Sequence, residues 1–457
     1  MRSELDVGEL LQNRPLGRFQ LATFALCVAI LFVDGLDYSS VNVAAPAILR
    51  VFKAETSAMG PVFSWGFFGF FLGSVLFGFI GDKWGRKTGA VAAVLSYTIP
   101  SLLTAFATSL DELSLYRCLA GLGIGGVIPN TVALLTETAP KKYRVTFIMA
   151  AFVGYSSGNA AMGQIAGWFI AGLGWPIVFL VAGIAGMLLC GVLILFLPES
   201  IPFLAATKPD AAQLRKLVAR AAPELAITDD TRFVLKRPKA ETKFSLKLLF
   251  AGKRRIVTPL LWLAFFAETL TYITLSSWLA VLLERAGLAP AQAAFAYFYA
   301  FLGAIVAILI VGRSLDRFGP RAAIFSALVA VAATVALGTA GLSPVLIIVA
   351  AIFAIAFGSA THNALLGIVG GFYPTIVRGN GVGAATSMGR IAAIIGPGIA
   401  GYLLGKFPLQ TVLVFIAAPD LVVAAACVVL ARYARAESKS PEMPARETRE
   451  QAAATFD

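Results

Sequence analysis

The stretch GFIGDKWGRK, residues 78–87, returns in altered form 234 residues later as GRSLDRFGPR, residues 312–321. A glycine, an aspartate, a basic residue and a second glycine align between the two segments without a gap. Each segment follows a long apolar run, so the same polar turn occupies equivalent places in two parts of the chain. A parallel repeat with this spacing predicts two related six-helix halves, which is the plan of a secondary transporter. An ordinary charged turn is the alternative, but its recurrence disfavours that interpretation.

The composition indicates an integral membrane protein. Apolar residues make up 58% of the 457 positions and charged residues 14%, a balance unlike that of soluble domains. We predict twelve apolar spans, each long enough to cross a hydrocarbon core about 30 Å thick. Their centres lie near Asp34, Phe70, Leu102, Gly125, Gly158, Met187, Thr271, Val306, Val331, Ala354, Ile391 and Val422. The predicted fold class is an all-α membrane protein with twelve transmembrane helices in two six-helix, pseudo-symmetric halves.

These spans divide the chain into five segments. We predict an N-terminal tail (1–18), a six-helix half (19–197), a basic loop (198–255), a second six-helix half (256–432) and a second tail (433–457). The first segment is polar and the apolar run after it is too long for a signal peptide, so the first helix is expected to be its own targeting signal. All four cysteines fall within spans, which argues against a disulfide and against a thiolate metal site.

The formal net charge of +12 is explained by where the basic residues lie. Of the 37 Lys and Arg, 31 are in the two tails and the even-numbered loops, four are in the opposite loops and two are within spans. By the positive-inside rule, both termini are predicted to be cytoplasmic. The basic loop alone carries 13 of these residues and is expected to lie against anionic lipid headgroups. No other feature supports nucleic-acid binding.

The first span carries two aspartates, Asp34 and Asp37, near its middle. An ionised aspartate at that depth costs roughly 2.5 to 3.5 kcal/mol, so a partner is expected. The sole basic residue inside a span of the first half is Arg117, which is followed at i+4 and i+8 by glycines that let a neighbouring helix pack closely. We predict that one aspartate neutralises Arg117 and that the other carries a proton. A structural ion pair is the alternative, and a central arginine also suits an anionic substrate.

Polar residues inside second-half spans are further candidates. We assign Glu268 and His362, the only histidine of the chain, to proton coupling, although a hydrogen-bonding structural role is the alternative for His362. Asp420 is either an additional proton site or a residue near water at the edge of a span. Arg390 is either a second clamp for a substrate carboxylate, facing Arg117, or a side chain that snorkels to the interface.

Aromatic residues are candidates for a cavity wall, because they can stack on a substrate ring. We assign Tyr272 and Trp278 to substrate binding. Packing against lipid is the commoner alternative for such residues. It applies equally to the other candidates, which are Trp65, Phe67, Phe68, Phe70, Phe71, Tyr297 and Tyr299.

The repeated turn resembles the loop signature of the major facilitator superfamily, in which Gly is followed after three residues by Asp, a basic residue, any residue, Gly and further basic residues. VDGLD (33–37) is similar to the Asp-Gly-x-Asp signature of the aromatic acid:proton symporter family within it. Further ordered matches extend the resemblance over nearly the whole chain, apart from 205–250 and the C-terminal tail. They lie at 125–144, 197–200, 262–288 and 373–401.

The resemblance implies import of a benzoate-like or hydroxybenzoate-like carboxylate by proton symport with alternating access. It also implies a monomer in a bacterial-type inner membrane, with neither a cofactor nor a metal. Residues expected to control conformational gating are Gly78, Asp82, Gly85, Arg86, Glu137, Gly312, Asp316, Arg317, Gly319 and Arg378.

Other functions stay open at this point. Proton-coupled uptake of another organic or sugar acid would use the same groups. Drug efflux by proton antiport is less favoured, because antiporters of the superfamily typically have a Gly-Pro signature in the fifth helix, where this chain has GYSSGNAAMGQ (154–164). An enzyme, a non-transporting sensor and an ATP-driven pump are disfavoured, since no phosphate-binding loop, metal-ligand cluster or nucleophile with a base accompanies the spans.

Overall fold

The computed structural model describes residues 4–12, 16–209, 211–223, 225, 231–235, 246–252, 254–373 and 377–439. Within this part of the chain, twelve helices of 16 residues or more account for the predicted spans. The first six are α1 (Arg18–Phe52), α2 (Met59–Trp84), α3 (Arg86–Thr104), α4 (Leu110–Thr138), α5 (Arg144–Leu173) and α6 (Pro176–Phe196). The other six are α7 (Arg254–Arg285), α8 (Pro290–Phe318), α9 (Arg321–Ala336), α10 (Pro344–Phe372), α11 (Arg378–Lys406) and α12 (Leu409–Lys439).

Ten of these helices are long and apolar enough to cross a membrane. The other two are α3, with 19 residues, and α9, with 16 residues. The predicted centre of the third span, Leu102, is wrong, because this residue lies close to the C-terminal end of α3. The basic residues Arg86 and Lys87 in the first turn hid the start of this helix from a count of apolar residues.

The two halves, α1–α6 and α7–α12, repeat the same pattern of contacts. In the first half α1 packs against α5 and α6, α2 against α4, and α3 against α4 and α6. Adding six to each number gives the second half, in which α7 packs against α11 and α12, α8 against α10, and α9 against α10 and α12. The predicted six-plus-six fold is therefore confirmed.

Glycines set the close approach of α2 and α4. A Cβ added to Gly121 or Gly125 of α4 would overlap backbone carbonyls of α2. A Cβ added to Gly69 or Gly73 of α2 would overlap backbone carbonyls of α4 in the same way. Small residues at such an interface let two backbones pack closely, because no side chain stands between them. This packing fixes the rotation of α4, and hence the direction in which Arg117 projects.

The two halves meet along α1 with α7, α2 with α11 and α5 with α8. At the end where α1 and α7 finish, Arg50 Nη1 lies 2.5 Å from Glu284 Oε2, and Arg285 Nη2 donates to Thr56 Oγ1 of the first half at 2.5 Å. At the opposite end, no hydrogen bond or ion pair joins the halves among the described residues of the twelve helices. Polar contacts between the halves are therefore found toward one end of the bundle, the closed end, and not among the described residues of the other, which we call the parted end.

The described parts of the predicted basic loop are folded rather than extended along a surface. The strands β1 (Glu4–Asp6) and β2 (Arg232–Val234) pair in parallel. Beside them, the short helices Val7–Gln12, Ile201–Thr207 and Ala212–Ala221 share a small apolar core, against which Phe19 at the start of α1 also packs. The tail and the loop thus pack together, which the sequence did not predict, because the partners are about 200 residues apart in sequence.

Candidate functional site

The guanidinium of Arg117 is held inside the first half by groups from three other helices. The side chain is only 4% exposed. Its Nη2 donates to Ser101 Oγ at 2.7 Å and to Thr104 Oγ1 at 3.1 Å, both on α3. Its Nη1 donates to Asp37 Oδ2 on α1 at 3.4 Å, and the cation lies 5.0 Å from the centre of the Phe179 ring on α6. Most of the hydrogen bonds that Arg117 donates therefore go to neutral hydroxyl groups, and its ion pair with Asp37 is long.

The two aspartates of α1 have different surroundings, although both are fully buried. Asp37 accepts a hydrogen bond from Ser101 Oγ in addition to the one from Arg117. Neither carboxyl oxygen of Asp34 has a hydrogen-bond partner in the described structure. The buried hydroxyl of Tyr97 is likewise without a hydrogen-bond partner. The structure therefore pairs Asp37 with the arginine and leaves Asp34 alone.

A cavity with about 420 Å³ of empty space, part of it continuous with solvent, lies beside Arg117. Its wall comes from α1, α2 and α4. The lining residues are Tyr38, Val41, Asn42, Val62, Phe63, Gly66, Phe67, Phe70, Arg117, Gly121 and Ile124. An apolar and aromatic wall with one cation is a surface that suits an aromatic anion.

The cavity wall is linked to the second half through two polar contacts. The hydroxyl of Tyr38 lies 3.4 Å from Ser276 Oγ on α7. Asn42 Nδ2 donates to the Tyr297 hydroxyl on α8 at 3.3 Å. A ligand in this cavity would therefore lie next to the surface along which the halves meet.

The second half contains its own buried polar cluster. Glu268 on α7 and Asp420 on α12 are each 1% exposed. Glu268 Oε2 lies 2.7 Å from His362 Nδ1 on α10 and accepts from Thr269 Oγ1 at 3.2 Å. Asp420 interacts electrostatically with Glu268. Three residues from three helices, which were separate candidates in the sequence, thus form one cluster.

The other residues assigned to substrate binding do not all reach the cavity. Tyr272 is half-buried and stacks on His362, with ring centres 6.1 Å apart. Trp278 is fully buried, donates from Nε1 to the Pro397 carbonyl at 3.1 Å and packs edge-on against Phe63. The expectation that Trp278 lines the substrate cavity is therefore wrong for this conformation, because the indole fills the closed contact between the halves.

Arg390 is half-buried and makes no hydrogen bond or ion pair within the described residues. It shares a face of α11 with Pro397 and Gly401, seven and eleven residues further on. A Cβ at Gly401 would lie 3.1 Å from Trp278 of α7 and 3.2 Å from Gly60 of α2. Arg390 therefore lies about two helical turns from the contact between the halves, toward the parted end.

Five of the other aromatic candidates lie either at the cavity or on the outer surface. Phe67 and Phe70 line the cavity. The side chains of Trp65, Phe68 and Tyr299 are exposed on the surface of the helix bundle, where contact with lipid is the ordinary fate of such rings.

The repeated turn of the first half holds a compact charge cluster. Arg86 pairs with Asp82 one turn earlier and donates from Nε to Glu137 Oε1 on α4 at 3.2 Å. Gly85 has φ +108°, and a Cβ there would overlap the Glu199 carboxylate. Glu199 Oε1 accepts from the Lys87 backbone N–H at 3.1 Å, at the start of α3. Burial raises the pKa of this carboxyl, which lies outside the spans.

The repeated turn of the second half is not built in the same way. Asp316 and Arg317 are exposed and make no ion pair within the described residues, while the Arg317 cation lies over the Phe318 ring. Gly319 has φ +61° and so shares the backbone role of Gly85. Arg378 Nε donates to the Tyr373 carbonyl at 3.3 Å. The charge cluster is therefore present in one half only.

Gly78 and Gly312, which we expect to take part in conformational gating, do not hold two helices close together in this conformation. A Cβ at either position would have no other atom within 4 Å. Both glycines lie at the end where the halves are parted, and this position explains the empty space around them.

Residues 27–303 and 261–455 each match the family model described as Major Facilitator Superfamily. The chain belongs to the Major Facilitator Superfamily. It is therefore a multi-pass membrane transporter and not an enzyme. Its four cysteines are free, and no group of three metal-binding side chains lies together in the described part of the chain.

Several relatives of this superfamily member are transporters of known name. It is 32% identical over 412 residues to the 4-hydroxybenzoate transporter PcaK of Acinetobacter baylyi, a match covering 89% of each chain. It is 32% identical over 401 residues to a gallate transporter of Pseudomonas putida, covering 88% of this chain and 89% of the relative. It is 28% identical over 410 residues to a benzoate transport protein of Acinetobacter baylyi, covering 88% of each chain.

Solved structures of superfamily members share the fold. A bacterial homologue of the human lysosomal transporter Spinster superposes with a TM-score of 0.69 at 17% identity, covering 92% of this chain and 98% of that one. The xylose transporter XylE from E. coli superposes with a TM-score of 0.67 at 16% identity, covering 93% and 99%.

Sequence reasoning missed three side chains that hold Arg117 in this transporter. Ser101 and Thr104 lie three residues apart in the third span, so they share a helix face, and a polar pair at that spacing was a usable signal. Phe179 had no signal, since one phenylalanine among many in an apolar span is unremarkable.

Proposed function

We propose that the protein is a secondary active transporter that imports a small aromatic carboxylate, of the benzoate or hydroxybenzoate type, by proton symport. The observation that carries this proposal is the single buried arginine beside an aromatic-lined cavity, with an unpaired carboxyl one helical turn from its ion-pair partner. Relatives named for 4-hydroxybenzoate, gallate and benzoate share about 30% identity with nearly the whole chain, which supports this substrate class.

Arg117 would bind the substrate carboxylate. A guanidinium offers five N–H donors and suits a carboxylate in a bidentate arrangement. Its contact with Asp37 is 3.4 Å long, so an incoming carboxylate competes with a weak ion pair rather than with a strong one. Phe67 and Phe70 would then lie beside the ring.

Asp34 would carry the coupled proton. A buried carboxylate with no hydrogen bond and no counter-ion is costly in its charged form, which favours a protonated Asp34 in this conformation. When Asp34 is ionised, two negative charges compete with the substrate for Arg117. Proton binding at Asp34 removes one of them, so the proton and the anion favour each other's binding, as reciprocal linkage requires.

Alternating access would follow from the two ends of the bundle. The ion pair of Arg50 with Glu284 and the buried Trp278 close one end, while the other end is parted. With both termini cytoplasmic in a bacterial-type inner membrane, the parted end faces inward. The charge cluster of Asp82, Arg86 and Glu137 lies at that end and is positioned to control its closure.

The experiment is uptake into proteoliposomes with and without an inward proton gradient. The panel contains benzoate, 4-hydroxybenzoate, gallate, an aliphatic organic acid and a sugar acid. We expect gradient-driven accumulation of an aromatic acid in the wild type and its loss in Arg117→Gln. The matched control is Arg432→Gln, which makes the same change at an exposed position of α12.

Two results would contradict the proposal. Accumulation that is unchanged in Arg117→Gln would remove the arginine from the substrate site. Accumulation of the aliphatic or sugar acid alone would move the function to another class of carboxylate.

A further inference from the structure

Two buried acids in the second half have no role in the site described above. Glu268 and Asp420 lie on different helices, α7 and α12, and are close enough to interact electrostatically. One oxygen of each, Glu268 Oε1 and Asp420 Oδ1, is buried without a hydrogen-bond partner. An unpartnered oxygen on both acids indicates that the cluster is not a completed structural network.

Within the described part of the chain, no permanent cation neutralises this pair. The groups that face Glu268 are His362 from α10, Asp420 from α12 and Tyr272 from α7 itself. From α11, Gly389 packs against Thr269, and the next residue, Arg390, forms no ion pair with either acid within the described residues. Two ionised carboxylates that interact across a low-dielectric interior repel each other, so a proton bound to one of them relieves the repulsion.

His362 connects these acids to the space between the halves. Its side chain is 32% exposed, whereas Glu268 is 1% exposed. Its ring stacks on Tyr272, which shares a face of α7 with Ser276, the residue that contacts Tyr38 of the cavity wall. A histidine takes up and releases protons near neutral pH. It is therefore placed to pass a proton between the parted end of the bundle and the buried acids.

We propose that Glu268 and Asp420 form a second proton-binding site, loaded and emptied through His362, so that two protons accompany each substrate anion. The proton binds to a carboxylate oxygen to give a neutral carboxyl, and no other bond changes. This inference rests on the proposed function, in which Asp34 carries the first proton.

The proposal makes transport electrogenic. A monoanion such as benzoate carries one negative charge, so one proton gives neutral transport and two protons give a net charge of plus one. One net charge gains about 2.3 kcal/mol from 100 mV across the membrane, which corresponds to roughly 50-fold in accumulation at equilibrium. An inside-negative potential, with no pH difference, should therefore drive benzoate uptake by the wild type.

The test compares the wild type with Glu268→Gln/Asp420→Asn in proteoliposomes with a potassium diffusion potential. We expect the double variant to lose the response of uptake to the potential and to keep its response to a pH gradient. The control is Asp111→Asn, an exposed acid in the first turn of α4, which should respond to both as the wild type does. Benzoate exchange at zero gradient checks that the double variant is folded. If exchange is absent, the single variant Asp420→Asn replaces it, and it should also lose the response of uptake to the potential.

Three outcomes overturn the inference. Wild-type uptake that responds to the pH gradient but not to the potential leaves no second proton to assign. A potential response that persists in the variant places the second charge elsewhere. A changed preference between benzoate and 4-hydroxybenzoate, with the potential response intact, makes the cluster a contact for the ring substituent. If the wild type accumulates no acid under a proton gradient, the proposed function fails first.

Discussion

Replacing each aspartate of α1 by asparagine should separate two roles that the sequence could not separate. Asp37→Asn removes the counter-ion that the described structure gives Arg117, a side chain that is 4% exposed. Removing one partner of a buried ion pair costs about 3 to 5 kcal/mol, because the other charge stays buried without compensation. Asp34→Asn removes oxygens that accept no hydrogen bond, so we expect a loss of stability under about 1 kcal/mol.

The assay is thermal unfolding of the purified protein in detergent. At roughly 2 °C per kcal/mol, Asp37→Asn should lower the melting temperature by roughly 6 to 10 °C, and Asp34→Asn should lower it by about 2 °C or less. The double variant Asp37→Asn/Arg117→Gln should be more stable than Asp37→Asn alone, since it leaves no unpaired cation.

Transport provides the second readout. Asp34→Asn mimics the protonated acid, so substrate exchange at zero gradient should continue while accumulation driven by a proton gradient falls below the wild-type level. Equal losses of stability in the two single variants would refute the pairing of Arg117 with Asp37. Gradient-driven accumulation at the wild-type level in Asp34→Asn would refute its role as the proton carrier.

Three further predictions concern packing and gating. Gly125→Ala should lower the free energy of unfolding by about 1 to 3 kcal/mol in chemical denaturation, because the new methyl group meets the α2 backbone. In the same measurement, Gly85→Ala should cost about 1 to 3 kcal/mol, since its φ of +108° suits glycine only, whereas Gly78→Ala, with open space around it, should be close to neutral. Arg50→Ala removes a partly exposed ion pair with Glu284 worth about 0.2 to 1 kcal/mol, so spin-label distances between α1 and α7 at the closed end should show a larger separated population, by up to about fivefold.

The membrane fold could be predicted because its signals are local. Each span needs about 20 apolar residues, and the polar turns at 78–87 and 312–321 mark equivalent places in two halves. The third span was misplaced where this signal is weakest, because α3 begins with Arg86 and Lys87. The packing of the tail against the basic loop was not predictable, since it joins distant segments through a few apolar residues.

The site was predicted only in part, for a physical reason. A charged residue inside a span is costly, so the sequence alone picks out Asp34, Asp37, Arg117, Glu268 and Asp420 as residues in need of a partner or a proton. Which group meets which depends on how each helix is rotated about its axis. That rotation is set by the glycine contacts between neighbouring helices, and an apolar pattern does not record it.

By itself, then, the sequence determined the number of spans, the division into two halves and the charged residues that lie within the membrane. Only the tertiary structure decided that Asp37 meets Arg117 while Asp34 has no partner, and that Glu268, His362 and Asp420 from three helices form one cluster. Hydropathy fixes the depth of a residue in the bilayer, because transfer from water to hydrocarbon depends on the residue itself. Its partners are fixed by side-chain packing between helices that are distant in sequence.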